Sequence, residues 1–217
     1  CNDARFRSMS MKNMHDFIKS GKGFTLVETM IAVTILTFAV AGPLFTASRA
    51  IIAAQISRDQ LIASYLAQEG IEHVRAMRDN EYLAAHQQGD ANISSTAWNN
   101  FLNNESQDAS AITQCRAPKI CTLDPLQSNS VPLSPCPDNI CTAPLYLVNN
   151  GKTNLYTQQN TLGGTVTPFT RTIQSFNVPD DESIVLPDEV RIVSTVSWSF
   201  HNLPYSVTVT DHLTPWQ

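Results

Sequence analysis

Four cysteines in the middle of the chain have the residue type and spacing that first suggest chemistry. Cys115, Cys121, Cys136 and Cys141 follow the pattern C-x5-C-x14-C-x4-C. Structural zinc sites usually contain a C-x2-C knuckle, which this pattern lacks, so metal binding is weakly supported. Two disulfides are favoured if this part of the chain lies in an oxidising compartment, and free thiols are the remaining alternative. Four cysteines allow three pairings, and the spacing does not choose between them.

The other polar side chains form no recognisable catalytic set. The sequence contains no H-E-x-x-H, G-x-S-x-G, P-loop or dinucleotide fingerprint. The acidic groups Asp180-Asp181-Glu182 and Asp188-Glu189 lack the ordered spacing of a calcium loop, which favours a solvated acidic loop. We therefore predict a protein that is not an enzyme and has no catalytic residue, cofactor or metal. The histidines are expected to be surface or locally hydrogen-bonded residues: His15, His73, His86, His201 and His212.

Glu28 is the only charged residue in the longest apolar run, which covers residues 24–45. A helix of this length spans roughly 33 Å, about one hydrocarbon core. The alternative is a buried core helix, which is disfavoured because apolar residues occupy every face and no polar stripe is present. Threonine hydroxyls in such a helix can bond back to its own carbonyls. A carboxylate in a bilayer costs about 2–3 kcal/mol unless something relieves it, so Glu28 is a functional candidate. The alternative is an interfacial glutamate that snorkels to water or is protonated.

The charge distribution predicts how this helix is oriented. Residues 1–23 hold five basic and two acidic side chains, 5 − 2 = +3, whereas the rest of the 217-residue chain holds 9 − 17 = −8. Basic residues before an apolar span favour a cytoplasmic N-terminus and an external body. The net charge of −5 argues against nucleic acid as the main ligand. A secretory signal is disfavoured, because no A-x-A-like site follows the run.

The segment G-K-G-F-T-L-V-E, residues 21–28, resembles the type IV prepilin processing signal. In that family a membrane-embedded aspartyl peptidase cuts after the glycine and methylates the new N-terminal residue. The resemblance implies a leader over residues 1–23, cleavage between Gly23 and Phe24, and N-methylation of Phe24. It also implies that Glu28 acts in assembly, and the physical reason is that Glu28 can pair with the Phe24 amine of a neighbouring subunit. Because the chain starts at Cys1, its natural start is expected at Met9, Met11 or Met14.

The resemblance further implies a structural subunit of a type IV pilus-like filament or a type II secretion pseudopilus. The implied partners are the prepilin peptidase and methyltransferase, other pilin-like subunits, an inner-membrane assembly platform and membrane lipid. The expected location is the cytoplasmic membrane and then a cell-surface or periplasmic filament. The competing hypothesis is an uncleaved single-pass signal anchor whose external head binds a ligand.

The elements that position these residues can also be predicted. Gly42-Pro43 predicts a kink or locally melted turn. Residues 46–83 then form an amphipathic continuation of the helix to about Tyr82, in which Gly70 costs about 1 kcal/mol against alanine and indicates close packing. The expected buried face comprises Ile52, Ile56, Ala63, Leu66, Ala67, Gly70, Ile71, Val74 and Met77.

The rest of the chain is expected to form a head. Residues 84–144 are predicted to be an irregular loop region with a short helical turn near Trp98. Residues 145–217 alternate with a period of two and predict an antiparallel sheet, with a hairpin at Asn149-Asn150-Gly151 and a link at His201-Asn-Leu-Pro204. The tail to Trp216 is expected to cover a sheet edge. The fold class is therefore α+β: a long, partly transmembrane helix packed on a C-terminal antiparallel sheet, as in pilin-like proteins.

Overall fold

The computed structural model describes residues 23–103, 112–126, 132–149, 151, 153–160, 163–179 and 187–215. The chain divides into two compact units, Cys1–Ala53 and Ala54–Gln217. The described α-helices are α1 (Leu26–Gln87) and α2 (Ile93–Asn103), and two short 3-10 helices cover Ile112–Cys115 and Pro137–Asn139. The described strands are β1 (Cys121–Leu123), β2 (Leu133–Pro135), β3 (Tyr146–Asn149), β4 (Asn154–Thr157), β5 (Thr165–Val166), β6 (Thr170–Val178), β7 (Glu189–Phe200) and β8 (Leu203–Leu213).

The part of α1 in the second unit is amphipathic, as predicted. Its buried positions include Ala63, Leu66, Ala67, Gly70, Ile71 and Val74, which recur at steps of three and four residues. The helix runs to Gln87 rather than to about Tyr82, because Ala84 and the buried Ala85 continue a good helical sequence. Gly89 ends it with a φ of +69°, a conformation that glycine adopts without strain.

The predicted irregular region contains more regular structure than expected. In place of a short turn near Trp98 there is the full helix α2, which buries Ala97, Trp98, Phe101 and Leu102. The Trp98 indole N–H donates to the Pro187 carbonyl at 2.7 Å, which satisfies its polar atom inside the core. The short strands β1 and β2 also lie here. They were missed because each has only three residues, too few for a visible alternation.

The predicted meander is divided between two antiparallel sheets. Strand order in the larger sheet is β2-β1-β6-β7-β8, and in the smaller sheet it is β4-β3-β5. The β3–β4 hairpin pairs Asn149 with Asn154, as the sequence predicted, although Asn150 lies outside the described residues. The β7–β8 turn is only two residues long, since His201 and Asn202 both take positive φ and Phe200 pairs directly with Leu203.

Two apolar clusters form the core of the second unit. The larger one joins α1, α2 and the large sheet, and includes Ile71, Trp98, Leu102, Leu123 and Ile192. The other joins an earlier part of α1 to the sheets through Ala63, Leu66, Leu145, Phe169 and Trp198. In β6, burial alternates residue by residue, so Arg171, Ile173 and Ser175 all point inward. One inward position is therefore an arginine, which the apolar pattern alone does not predict.

Candidate functional site

The predicted processing site lies at the start of α1. Gly23, Phe24 and Thr25 are not helical and are exposed, Phe24 to 78% of its surface. The helix begins at Leu26, and the Thr25 hydroxyl oxygen accepts a hydrogen bond from the Glu28 backbone N–H at 3.2 Å. Thr25 is thus the N-cap of α1, a role for which threonine is well suited. The peptide between Gly23 and Phe24 is therefore accessible and lies outside the helix.

The pattern T-x-x-E at residues 25–28 is that of a capping box, a sequence signal that predicts a helix start at this point. The observed bond forms its threonine half. It uses the backbone of Glu28, so the Glu28 side chain is not needed for it. The carboxylate of Glu28 is exposed, as are its neighbours on the helix.

The apolar run has the properties of a membrane span. Among the described residues, α1 is the one helix long and apolar enough to cross a membrane by length and composition, with a mean hydropathy of 2.0 in its most apolar window and none of that window buried. The hydroxyls of Thr29, Thr34 and Thr37 each donate to a carbonyl three residues earlier at 2.8 Å. This confirms that the helix satisfies its own hydroxyl groups, as a lipid environment requires.

Gly42 and Pro43 lie inside this span. α1 continues through both without interruption, so the locally melted turn is not present, and the kink stays a prediction. Proline removes a backbone donor and thereby leaves a helix carbonyl without its usual partner. Nearby, the Thr46 hydroxyl lies 2.9 Å from the Pro43 carbonyl and 3.3 Å from the Gly42 carbonyl, which adds polar contacts at this turn.

The four cysteines form two disulfides between sequence neighbours. Cys115 pairs with Cys121, and Cys136 pairs with Cys141. The first bridge is fully buried, whereas both cysteines of the second are half-exposed. The two bridges are close together because Cys121 pairs with Pro135 across β1 and β2. The preferred chemistry is therefore confirmed, and the structure selects one of the three pairings.

A buried polar cluster links α1 to the sheets, and the sequence did not predict it. The Arg171 side chain is fully buried, and its Nη1 lies 2.6 Å from a carboxylate oxygen of Glu69. Arg171 also donates to the carbonyls of Leu66 and Leu123, at 3.3 and 2.9 Å. The only available signal was a charged residue at an inward position of an alternating strand.

Two further groups belong to this cluster. The Thr157 hydroxyl donates to the carboxylate of the buried Asp124 at 3.0–3.1 Å. His73 lies nearby on α1. Burial lowers the pKa of His73, and the neighbouring Arg171 guanidinium lowers it further, while Glu69 and Asp124 act in the opposite direction.

The described residues contain no group of three or more His, Cys, Asp or Glu side chains arranged to hold a metal ion. Of the predicted acidic groups, Asp180-Asp181-Glu182 lies outside the described residues, and Glu189 contacts His212 instead. The leader residues 1–22, the candidate start sites and Trp216 also lie outside the described residues.

A long apolar N-terminal helix followed by antiparallel sheets is the α+β arrangement of pilin-like proteins. Residues 18–42 match the family model described as the prokaryotic N-terminal methylation motif. The chain therefore carries the prepilin signal found in type IV pilins and pseudopilins. No curated protein and no solved structure matches the chain.

Proposed function

We propose that the chain is a prepilin that is cut after Gly23, methylated on the amine of Phe24 and assembled into a filament through α1. The observation that carries this proposal is the methylation motif at residues 18–42, at the start of a helix apolar enough to cross a membrane. The accessible, non-helical peptide before Leu26 supports it, since a peptidase requires an extended substrate.

Glu28 supplies the assembly contact in this proposal. A carboxylate on the exposed surface of an apolar helix is unfavourable in lipid unless a positive charge relieves it. Cleavage creates such a charge at Phe24, and N-methylation leaves that amine basic. Pairing between Glu28 of one copy and Phe24 of another relieves both charges, so it favours transfer of the helix from lipid into a filament.

The second unit is the external head. Its two disulfides are consistent with an oxidising compartment, and the basic leader favours a cytoplasmic N-terminus. The proposed processing and assembly require several partners. They are a peptidase and methyltransferase, other pilin-like subunits and an assembly platform in the membrane. Pili, secretion pseudopili and DNA-uptake filaments share the signal.

Intact-mass analysis of protein from membranes of the native host tests the proposal. The expected mass lacks every residue through Gly23 and carries one added methyl group. The matched control is Gly23→Leu, which removes the small residue before the cut and should leave the leader attached. An intact leader on the unmodified chain would contradict the proposal and favour the uncleaved signal anchor.

A further inference from the structure

The start of α1 lies very close to the proposed cut. Gly23, Phe24 and Thr25 are not helical, and Leu26 is the first helical residue. A peptide bond inside a helix is folded against its neighbours, whereas a peptidase binds an extended segment. The residue at which α1 begins therefore decides whether the peptide between Gly23 and Phe24 is available for cleavage.

Gly23 does not by itself determine where the helix starts. A Cβ atom built on Gly23 would meet nothing within 4 Å, and its φ is not positive, so neither packing nor backbone conformation within the chain requires glycine there. The low helix propensity of glycine acts at position 23 only, and α1 could still begin at Phe24. A start at Leu26 needs a further signal, located after Phe24.

Thr25 provides this signal through two hydrogen bonds. Its carbonyl accepts the first helical bond, from the Thr29 backbone N–H at 3.2 Å, although Thr25 itself is outside the helix. Its hydroxyl oxygen accepts the Glu28 backbone N–H, also at 3.2 Å. The second bond satisfies one of the N–H groups that a helix leaves without a partner at its first turn. Near lipid, where water cannot replace such a bond, its loss is costly.

We propose that Thr25 is a positioning residue for processing: its cap fixes the start of α1 at Leu26 and thereby keeps the Gly23–Phe24 peptide outside the helix, where the peptidase can bind it. This inference rests on the proposed function and assigns a role to one further residue of the same site. Hydrolysis adds water across that peptide and leaves a carboxylate on Gly23 and an amine on Phe24. Thr25 takes no part in this chemistry and acts only through the shape of the substrate.

The length of α1 separates this role from folding. The helix has 62 residues, so losing one hydrogen bond at its end frays the first turn without unfolding the rest. The second unit begins only at Ala54, far from Thr25 along the chain. Variants at position 25 are therefore expected to fold and to insert into membranes.

Cleavage of the full chain in detergent micelles by the prepilin peptidase of the native host tests the proposal. Thr25→Val keeps the shape of the side chain but removes the oxygen that accepts the Glu28 N–H. Fraying reduces the fraction of substrate that is ready to bind, so the KM should rise up to about fivefold while kcat stays nearly unchanged. In the same samples, the Glu28 amide should exchange its hydrogen faster with solvent.

Rescue variants separate capping from direct recognition of the threonine side chain. Thr25→Ser and Thr25→Asn both supply a capping oxygen, and asparagine differs from threonine in shape. Both should restore the KM and the protection of the Glu28 amide. The matched control is Thr29→Val, because the Thr29 hydroxyl donates to the Leu26 carbonyl at 2.8 Å and caps nothing, so its KM should equal that of the unmodified chain.

The outcomes distinguish this inference from the proposed function. An unchanged KM in Thr25→Val, an unchanged exchange rate at Glu28, or failure of Thr25→Asn to restore cleavage would overturn the positioning role alone, since the unmodified chain would still be cut after Gly23. If the unmodified chain is not cut, the proposed function falls and this inference falls with it.

Discussion

Gly70 of α1 lies directly against Ser194 of β7. A Cβ atom added to Gly70 would be 2.6 Å from the Ser194 hydroxyl oxygen and 3.1 Å from the end of the Ile173 side chain. Glycine in the middle of a helix costs about 1 kcal/mol against alanine, so its presence here requires a compensating contact. The close approach of helix and sheet at this point is that contact.

Replacing Gly70 with alanine is therefore expected to destabilise the protein, even though alanine is the better helix former. We expect a loss of roughly 1–3 kcal/mol in the free energy of unfolding, the usual range for overpacking a core. Chemical denaturation of the full chain in detergent measures this loss.

The Gly70→Ala/Ser194→Ala double variant is the matched control and should recover most of the lost stability. Since the buried Ser194 hydroxyl has no hydrogen-bond partner among the described residues, Ser194→Ala alone should be neutral or stabilising. A stabilised Gly70→Ala variant would contradict this account.

Gly70 also shows what the sequence predicts well. An unfavourable residue inside a strong helical pattern indicates a packing requirement, and the period-two alternation of β6, β7 and β8 identifies their buried face. The division into two sheets was not predictable, because alternation gives no information on which strands pair. The Arg171 cluster was missed for a related reason: its members are far apart in sequence, and only the tertiary structure brings them together.

Arg171→Met is expected to cost about 3 kcal/mol or more in unfolding free energy. Methionine keeps much of the volume but leaves the Leu123 and Leu66 carbonyls and Asp124 without their cationic neighbour, and breaking a buried ion pair from one side is strongly destabilising. Glu69→Gln should cost less, about 1 kcal/mol, because the Glu69 side chain is partly exposed.

The matched control for Arg171 is Arg191→Met. Arg191 stacks over Phe176 on the other face of the large sheet, with its guanidinium carbon 4.5 Å from the ring centroid, and it is not buried. Arg191→Met should therefore lower the free energy of unfolding by less than about 1 kcal/mol. Equal effects of the two substitutions in urea titrations would show that the buried cluster has no special role in stability.

Stability should fall on mild acidification because of His73. Its pKa in the folded protein is lowered from 6.5, first by burial and then by Arg171, so the unfolded chain binds the proton more readily. The stability that His73 contributes is fully present above about pH 6.5 and decreases as the pH falls from there towards the lower folded pKa. His73→Gln should flatten this part of the pH profile.

The acidic end of the same profile provides the comparison. Asp211 also has a lowered pKa, chiefly through its hydrogen bond with Arg75, so its contribution is lost only as the pH falls below about 3.8. Asp211→Asn should therefore change the profile in that lower range and leave the region near pH 6 unchanged. Unfolding measured by intrinsic fluorescence from about pH 2 to about pH 8, a range that extends beyond both ordinary pKa values, separates the His73 effect from the Asp211 effect. An unaltered slope near pH 6 in His73→Gln would refute the assignment.

The two disulfides should differ in their accessibility to reductant. Cys115 and Cys121 are fully buried, so their bridge can react only after local unfolding, whereas the Cys136–Cys141 bridge is half-exposed. Brief treatment with a mild thiol reductant, followed by alkylation and peptide mass analysis, should label Cys136 and Cys141 first. Urea at concentrations below the unfolding transition promotes local unfolding, so it should reduce the difference in labelling between the two disulfides. Preferential labelling of Cys115 and Cys121 would contradict the order given by burial.

Glu28→Leu is expected to separate insertion and processing from assembly. The start of α1 should survive the substitution, because the bond that caps it joins the Thr25 hydroxyl to the backbone of residue 28. Leucine also removes an unfavourable charge from the apolar span, so insertion should not weaken. Cleavage and methylation at Phe24, read by intact mass, are expected to proceed, while the filament fraction recovered by shearing and centrifugation should be lost.

Thr34→Val is the matched control, since the Thr34 hydroxyl bonds within its own helix and its removal should leave assembly intact. Glu28→Asp keeps the carboxylate, so it should retain part of the filament assembly. Filaments formed at the normal level by Glu28→Leu would show that Glu28 does not pair with the amine of a neighbouring copy, and its place in the span would then be that of an interfacial residue.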